Sequence, residues 1–407
     1  YKPQELSNLA WALTKAGVAD LRLMHVIARE ASALLDAFKP QELSNLAWTF
    51  ATQGVDDPIT LLRIGRSAAP RLREFKPQEL ANLAWSFAKL GVGVDTLNTG
   101  LAEAALVKLD QFSPQNLSNL AWAFATLLVL NARLLGPLAS TSVSKVQEFK
   151  SQELANLAWA FGKLGLKNTE LIHAITSQAK QMLGSFRAQE LSNLVWAVAT
   201  LGVEDPELFD AVAGQAAPSL ADFKPQELSN LAWAFATAFV AHPQLCDALA
   251  RAAIQRSHEF NAQELTTIAW VFAKLRLTNW QLFRTIASEA ATMLPKFQPQ
   301  EISRLAWAFA ILGVGDVAFL EAIAANAVPR LEGFDLHALS LLAWSLSSRG
   351  MSERRILLAI EGAFIAKLEG CRGAPAAEHT SAKDLGQDIL SVAWSLSEAG
   401  APSGASG

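Results

Sequence analysis

The side chains of this sequence that are able to do chemistry come as ladders rather than as clusters. Glutamine recurs as Gln4, Gln41, Gln78, Gln115, Gln152, Gln189, Gln226, Gln263 and Gln300, and asparagine as Asn8, Asn45, Asn82, Asn119, Asn156, Asn193 and Asn230, always in steps of 37 residues. A third ladder in the same register switches between ammonium and hydroxyl: Lys15, Thr52, Lys89, Thr126, Lys163, Thr200, Thr237 and Lys274. Amides can read base edges and lysines can meet phosphates, so polar groups repeated at a fixed interval suit a long polymeric ligand. Catalytic and metal-binding patterns are not found. The six histidines, His25, His173, His242, His258, His337 and His379, fall in different segments without ligand spacing, and Cys246 and Cys371 have no paired partner. No Gly-rich phosphate loop or nucleophile elbow occurs, and the recurrent Gln-Glu dipeptides read as helix starts. The expectation is no enzyme activity, no metal and no cofactor.

Tryptophans define the elements that must carry these ladders. Ten of the twelve, Trp11, Trp48, Trp85, Trp122, Trp159, Trp196, Trp233, Trp270, Trp307 and Trp344, keep the 37-residue step, and Trp394 follows 50 residues after Trp344. Such a period marks stacked supersecondary units, each unable to bury its apolar face alone. The reading is therefore all-α, a right-handed α-solenoid of about eleven 37-residue helix-turn-helix repeats: 2–38, 39–75, 76–112, 113–149, 150–186, 187–223, 224–260, 261–297, 298–334, 335–384 and a partial 385–407. An insertion at about 370–386 accounts for the long last step and is expected to be an irregular loop.

One repeat shows the local logic. In Phe223-Lys224-Pro225-Gln226-Glu227-Leu228, proline suits the first helical position, glutamate suits the positive end of the helix dipole, and Phe223 with Leu228 makes a hydrophobic staple. Gly17, Gly54, Gly91, Gly165, Gly202, Gly313, Gly350 and Gly400, each six residues past a tryptophan, read as left-handed caps that end helix A. Asp205-Pro206-Glu207 then starts helix B. On a wheel, Leu228, Leu231, Ala232, Phe235 and Ala236 form the packed side of helix A, and Gln226, Asn230, Ala234 and Thr237 a polar stripe flanked by Trp233. Helix A is expected to line one continuous concave groove and helix B the convex side. The tryptophans read as packing residues, with loss of Trp159 expected to cost roughly 3–5 kcal/mol. For the asparagines, a solvated or unit-tying role stands beside a binding one. The cap cations Lys2, Lys39, Lys76, Lys150, Arg187 and Lys224 read as solvated, with phosphate contact as the alternative.

Bulk properties narrow the class. Hydrophobic content of 51% and a mean hydropathy of +0.21 exclude a disordered chain, and no apolar run reaches membrane-spanning length. A net charge of −4 gives no global attraction to nucleic acid, so any such binding must come from a local face. The chain opens inside a repeat without an initiating methionine and is expected to be a segment of something longer.

The motif Phe-Lys-Pro-Gln-Glu-Leu-Ser-Asn-Leu-Ala-Trp-Ala-Phe-Ala, with a closing Leu-Gly in many repeats, resembles the octotricopeptide repeat and its 37-residue relative, the heptatricopeptide repeat, found in organellar proteins that often end in a RAP domain. The resemblance covers nearly the whole chain. It implies sequence-selective binding of single-stranded RNA, organellar transcripts or ribosomal RNA, with roles in processing, stability or assembly in a mitochondrion or plastid. The residues expected to contact it are the triplets Gln41/Asn45/Thr52, Gln78/Asn82/Lys89, Gln115/Asn119/Thr126, Gln152/Asn156/Lys163, Gln189/Asn193/Thr200 and Gln226/Asn230/Thr237, with Lys274. The alternative is a peptide-binding or scaffold solenoid acting through protein partners.

Overall fold

A computed structural model describes residues 1–314, 317–351, 353–371 and 382–400. Among them the chain is all helical, with no strand, and helix A and helix B alternate as the 37-residue period requires. It divides into two compact units, Tyr1–Gln215 and the part from Ala216 onward. In the first, the A helices Pro3–Lys15, Pro40–Gln53, Pro77–Lys89, Pro114–Thr126, Ser151–Lys163 and Ala188–Thr200 pack each on the next. In the second, Pro225–Thr237, Ala262–Lys274, Pro299–Leu312, Leu336–Ser347 and Ala382–Gly400 do the same. Both units are therefore stacks of A helices backed by B helices, the arrangement of an α-solenoid.

The start of each A helix is closed by its own glutamate. Glu227 reaches back to accept the Lys224 N–H at 2.8 Å, and Glu5, Glu42, Glu79, Glu153, Glu190, Glu264 and Glu301 close the same loop at 2.7–3.0 Å. The Gln-Glu dipeptides are thus tied up in helix geometry. Phe38, Phe75, Phe112, Phe223, Phe260, Phe297 and Phe334, each just ahead of its cap, are buried, which fixes the entry of the chain into helix A. Between helix B and that phenylalanine lies a 3-10 turn, such as Leu109–Gln111, that the sequence did not announce.

Seven of the eight cap glycines take the left-handed conformation, with φ between 59° and 75°. Leu128, Phe239 and Arg276 hold the same place in three other repeats and take it too, at φ 55°, 55° and 58°. Gly400 departs from expectation. It is the last residue of a continuous helix, Ala382–Gly400, and caps nothing within the described residues. The insertion is also narrower than expected, because Gly370 and Cys371 finish helix Arg354–Cys371 and Gly386 lies inside the final helix; residues 372–381 lie outside the described set.

The A helices approach closely because small residues separate them. Ala123, Ala160, Ala197, Ala234 and Ala308, the residues after the tryptophans, are at most 1% exposed. A Cβ placed on Gly162 would lie 3.0 Å from the Ala197 Cα, so the two backbones are nearly in contact there. This corrects the wheel: Ala234 belongs to the packed side, not to the polar stripe.

A cationic clamp joins successive repeats. Arg71, Lys108, Lys145, Arg256 and Arg330, in one repeat register, each donate to two carbonyls of the preceding repeat's 3-10 turn and its phenylalanine, as when the Lys108 ammonium meets Arg73 O at 2.6 Å and Phe75 O at 2.8 Å. Two charge-assisted bonds to these turn carbonyls hold one repeat on the next. Lys108→Met is expected to lower unfolding stability by about 1.5–3 kcal/mol, read as a shifted urea midpoint. An unchanged midpoint would mean that water replaces the ammonium without loss.

Candidate functional site

The outward face of each A helix is a line of four side chains. Glutamine, asparagine, tryptophan and the Lys/Thr position follow at intervals of four, three and four residues, which keeps them on one side of the helix. Gln41, Gln78, Gln115, Gln152, Gln189 and Gln226 are exposed, and Asn45, Asn82, Asn119, Asn156, Asn193 and Asn230 are half-buried. None of these six asparagine amides makes a side-chain hydrogen bond to the protein, which rules out the unit-tying role. Each amide therefore keeps its donors and its acceptor for something outside the fold.

Tryptophan comes between asparagine and the Lys/Thr position along the helix and stands at one flank of the line. Every tryptophan from Trp48 to Trp344 in the repeat register is half-buried. In the first unit the Trp85 and Trp122 ring centroids are 6.3 Å apart, and those of Trp122 and Trp159 are 6.4 Å apart at 29° between planes. These tryptophans therefore pack, as expected, with part of the side chain left exposed. Lys15 lies over the rings of both Trp11 and Trp48, at 5.7 and 5.2 Å, and joins cation and indole in one surface.

The third ladder divides. Lys89 and Lys163 are exposed and Thr52 and Thr200 are open to solvent, but the Thr126 and Thr237 hydroxyl oxygens are buried without a partner. Those two threonines present no hydroxyl to a ligand as they stand, contrary to the sequence reading. Thr200 donates to the Trp196 carbonyl at 2.7 Å. Lys274 is half-buried, 4.6 Å from the Trp270 ring centroid and 4.7 Å from that of Phe239, and burial holds its pKa below the ordinary lysine value.

In the second unit the same face is hollowed. A cavity of about 390 Å³ is lined by Trp233, Trp270 and Trp307 with Thr267, Arg304 and His337, and another of about 510 Å³ by Trp307, Trp344, Leu341, Gln387 and Asp388. Thr267, Arg304 and Leu341 hold the asparagine place, and His337 and Gln387 the glutamine place. The line is therefore kept while its chemistry changes. His337 Nδ1 lies 3.0 Å from Asp388 Oδ1, and the Ser340 hydroxyl donates to that same oxygen at 2.6 Å. The serine proton goes to the carboxylate and not to the imidazole, so the trio lacks the serine–imidazole bond of a Ser-His-Asp triad, and it ties helix Leu336–Ser347 to helix Ala382–Gly400.

The cations sort into two kinds. Those of the clamp are consumed by carbonyls, and Lys180 is engaged by Asp205 and Glu207, both at 3.1 Å. The cap cations Lys39, Lys76, Lys150, Arg187 and Lys224 are exposed at the amino-terminal edge of the same helices and enter no ion pair. In these five repeats the line runs from a cation outside any ion pair through two amides and an indole to a second polar position. Among the described residues no group of histidines, cysteines and carboxylates is placed to hold a metal ion, and no helix is long and apolar enough to cross a membrane.

Fold and face together define a tandem helical-repeat protein with one amide and indole surface per stack. The chain belongs to the family of the RNA-editing substrate-binding complex 6 protein, whose pattern matches residues 1–155, 69–223 and 215–352. That match makes it an RNA-associated helical-repeat protein and does not reach the octotricopeptide or heptatricopeptide class in particular. No curated protein matches the chain significantly. Among solved structures, a circular tandem repeat protein with a novel repeat topology and enhanced subunit contact surfaces is 14% identical over 98% of this chain and 96% of that one, with a TM-score of 0.20. The solenoid assignment rests on the helix packing described above, not on that likeness.

Proposed function

We propose that this chain binds single-stranded RNA along the outward face of its A helices and serves RNA editing or related RNA processing as a binder, not as a catalyst. The observation that carries the reading is the row of unpartnered asparagine amides beside half-open, neighbouring indoles. Indoles take the face of any base, amides can discriminate base edges, and exposed cap cations meet the backbone. The family's name, which places its namesake in a complex that binds RNA-editing substrates, points to the same ligand. Placement in a mitochondrion or plastid, and a heptatricopeptide-like manner of reading the strand, are part of this proposal and rest on the resemblance of the repeat motif.

The test is a titration against a randomised short RNA pool at fixed salt. Asn119→Ala is expected to weaken binding by about 1–3 kcal/mol, the scale of one base contact. Lys163→Thr should act differently, lowering affinity across all sequences and reducing the slope of log affinity on log salt by about 1. A parent chain that retained no RNA at low salt but bound extended peptides would replace this reading with a peptide-binding one.

A further inference from the structure

The left-handed cap between helix A and helix B is a place where glycine fits without cost and a side chain does not. Seven repeats put glycine there; Leu128, Phe239 and Arg276 stand in the other three. Burial does not explain the aromatic one, because Phe239 is 74% exposed. The backbone closes as it does in the glycine repeats, with Phe239 N donating to Ala236 O at 3.3 Å and Val240 N to Phe235 O at 2.9 Å, so the strain is held by the corner itself. One contact sets Phe239 apart. The Lys274 ammonium of the next repeat lies 4.7 Å from its ring centroid while also resting on Trp270, a member of the binding face. Arg276 follows two residues later, with only a 3.5 Å approach to the Ile311 carbonyl, and neither cation is in an ion pair.

We propose that Phe239, Lys274 and Arg276 form a second contact for the same strand, at the carboxy-terminal edge of the A helices. Phe239 takes a base on its open side, and the two cations take the phosphates on either side of it. Through Lys274 this edge is continuous with the Trp270 indole, so a strand leaving the face at Trp270 meets it directly. This site rests on the RNA reading above. A protein ligand would need an acidic partner to match the same cations, and is an outcome of the test rather than its premise.

The decisive variant is Phe239→Gly, because the two roles of the residue predict opposite signs. Glycine relieves the left-handed backbone, so the thermal midpoint is expected to rise, while affinity for the randomised short RNA pool is expected to fall roughly tenfold. Leu128→Gly is the control: the same relief at a corner that has Lys163 in the place of Lys274 but no aromatic ring, and Gly165 in the place of Arg276, with affinity unchanged. Lys274→Gln should weaken binding without changing the corner. Phe239→Gly with a raised midpoint and the parent's affinity would overturn this site and leave the RNA reading intact. An equal loss in Leu128→Gly would also overturn it, since any exposed corner side chain would then serve. A parent chain that binds no RNA overturns both readings, and binding of an acidic protein at Phe239 would then replace them.

Discussion

Phe161→Ala is expected to lower unfolding stability by about 3–5 kcal/mol, more than the loss of the tryptophan two residues before it. Phe161 is 2% exposed and lies inside the stack, where truncation leaves a cavity that neighbouring helices cannot collapse into without breaking their close approach. Trp159 is only half-buried. Its replacement by alanine should cost roughly 1–3 kcal/mol, below the value that an all-buried tryptophan would give. Stability in such a stack is a sum of repeat and interface contributions, so both changes should be compared in one repeat by urea midpoint. Equal losses would mean that tryptophan, not phenylalanine, is the keystone of the core.

The largest effect on binding is expected from the triple variant in which Asn82, Asn119 and Asn156 are all replaced by alanine. At a contribution of about 1 kcal/mol or more per amide, with additivity between separate repeats, affinity for single-stranded RNA should fall at least roughly 100-fold. Folding should not suffer. The three amides have no partner in the protein, and alanine is the better helix former, so the melting midpoint should hold or rise. A midpoint that fell along with affinity would show the ladder to be structural after all. Retained affinity with a sound fold would show it to be merely solvated.

Much of this architecture was legible without coordinates because its signals are local. Pro225 at the first helical turn, Glu227 behind it and Gly202 past the end of its helix act within a few residues of themselves, and each appears in the structure where the pattern put it. Repetition then multiplied a weak signal by the number of repeats. The clamp at Lys108 was invisible for the opposite reason: its partners are carbonyls of the previous repeat, 35 and 33 residues away, and a carbonyl has no signature in a sequence. The left-handed corners at Leu128, Phe239 and Arg276 carry no glycine, the residue whose local chemistry marks that conformation. The 37-residue register, which places them six residues past a tryptophan, held the information.

The composition of the polar face of the A helices was fixed by the amino-acid sequence; its boundary was not. At about 100° per residue, Gln226, Asn230 and Thr237 point one way, with Trp233 about 40° to one side and Ala234 about 60° to the other. A single helix cannot say which flank is open. A neighbouring A helix decides it: Gly162 of Ser151–Lys163 lies so close to Ala197 of the following A helix that this alanine is wholly buried, while Trp196 stays half in the open. Periodicity and capping chemistry made the helices and aligned their polar lines. Only the contact between neighbouring helices, a property of their backbones and of the small residues between them, put the indoles on the surface beside the amides.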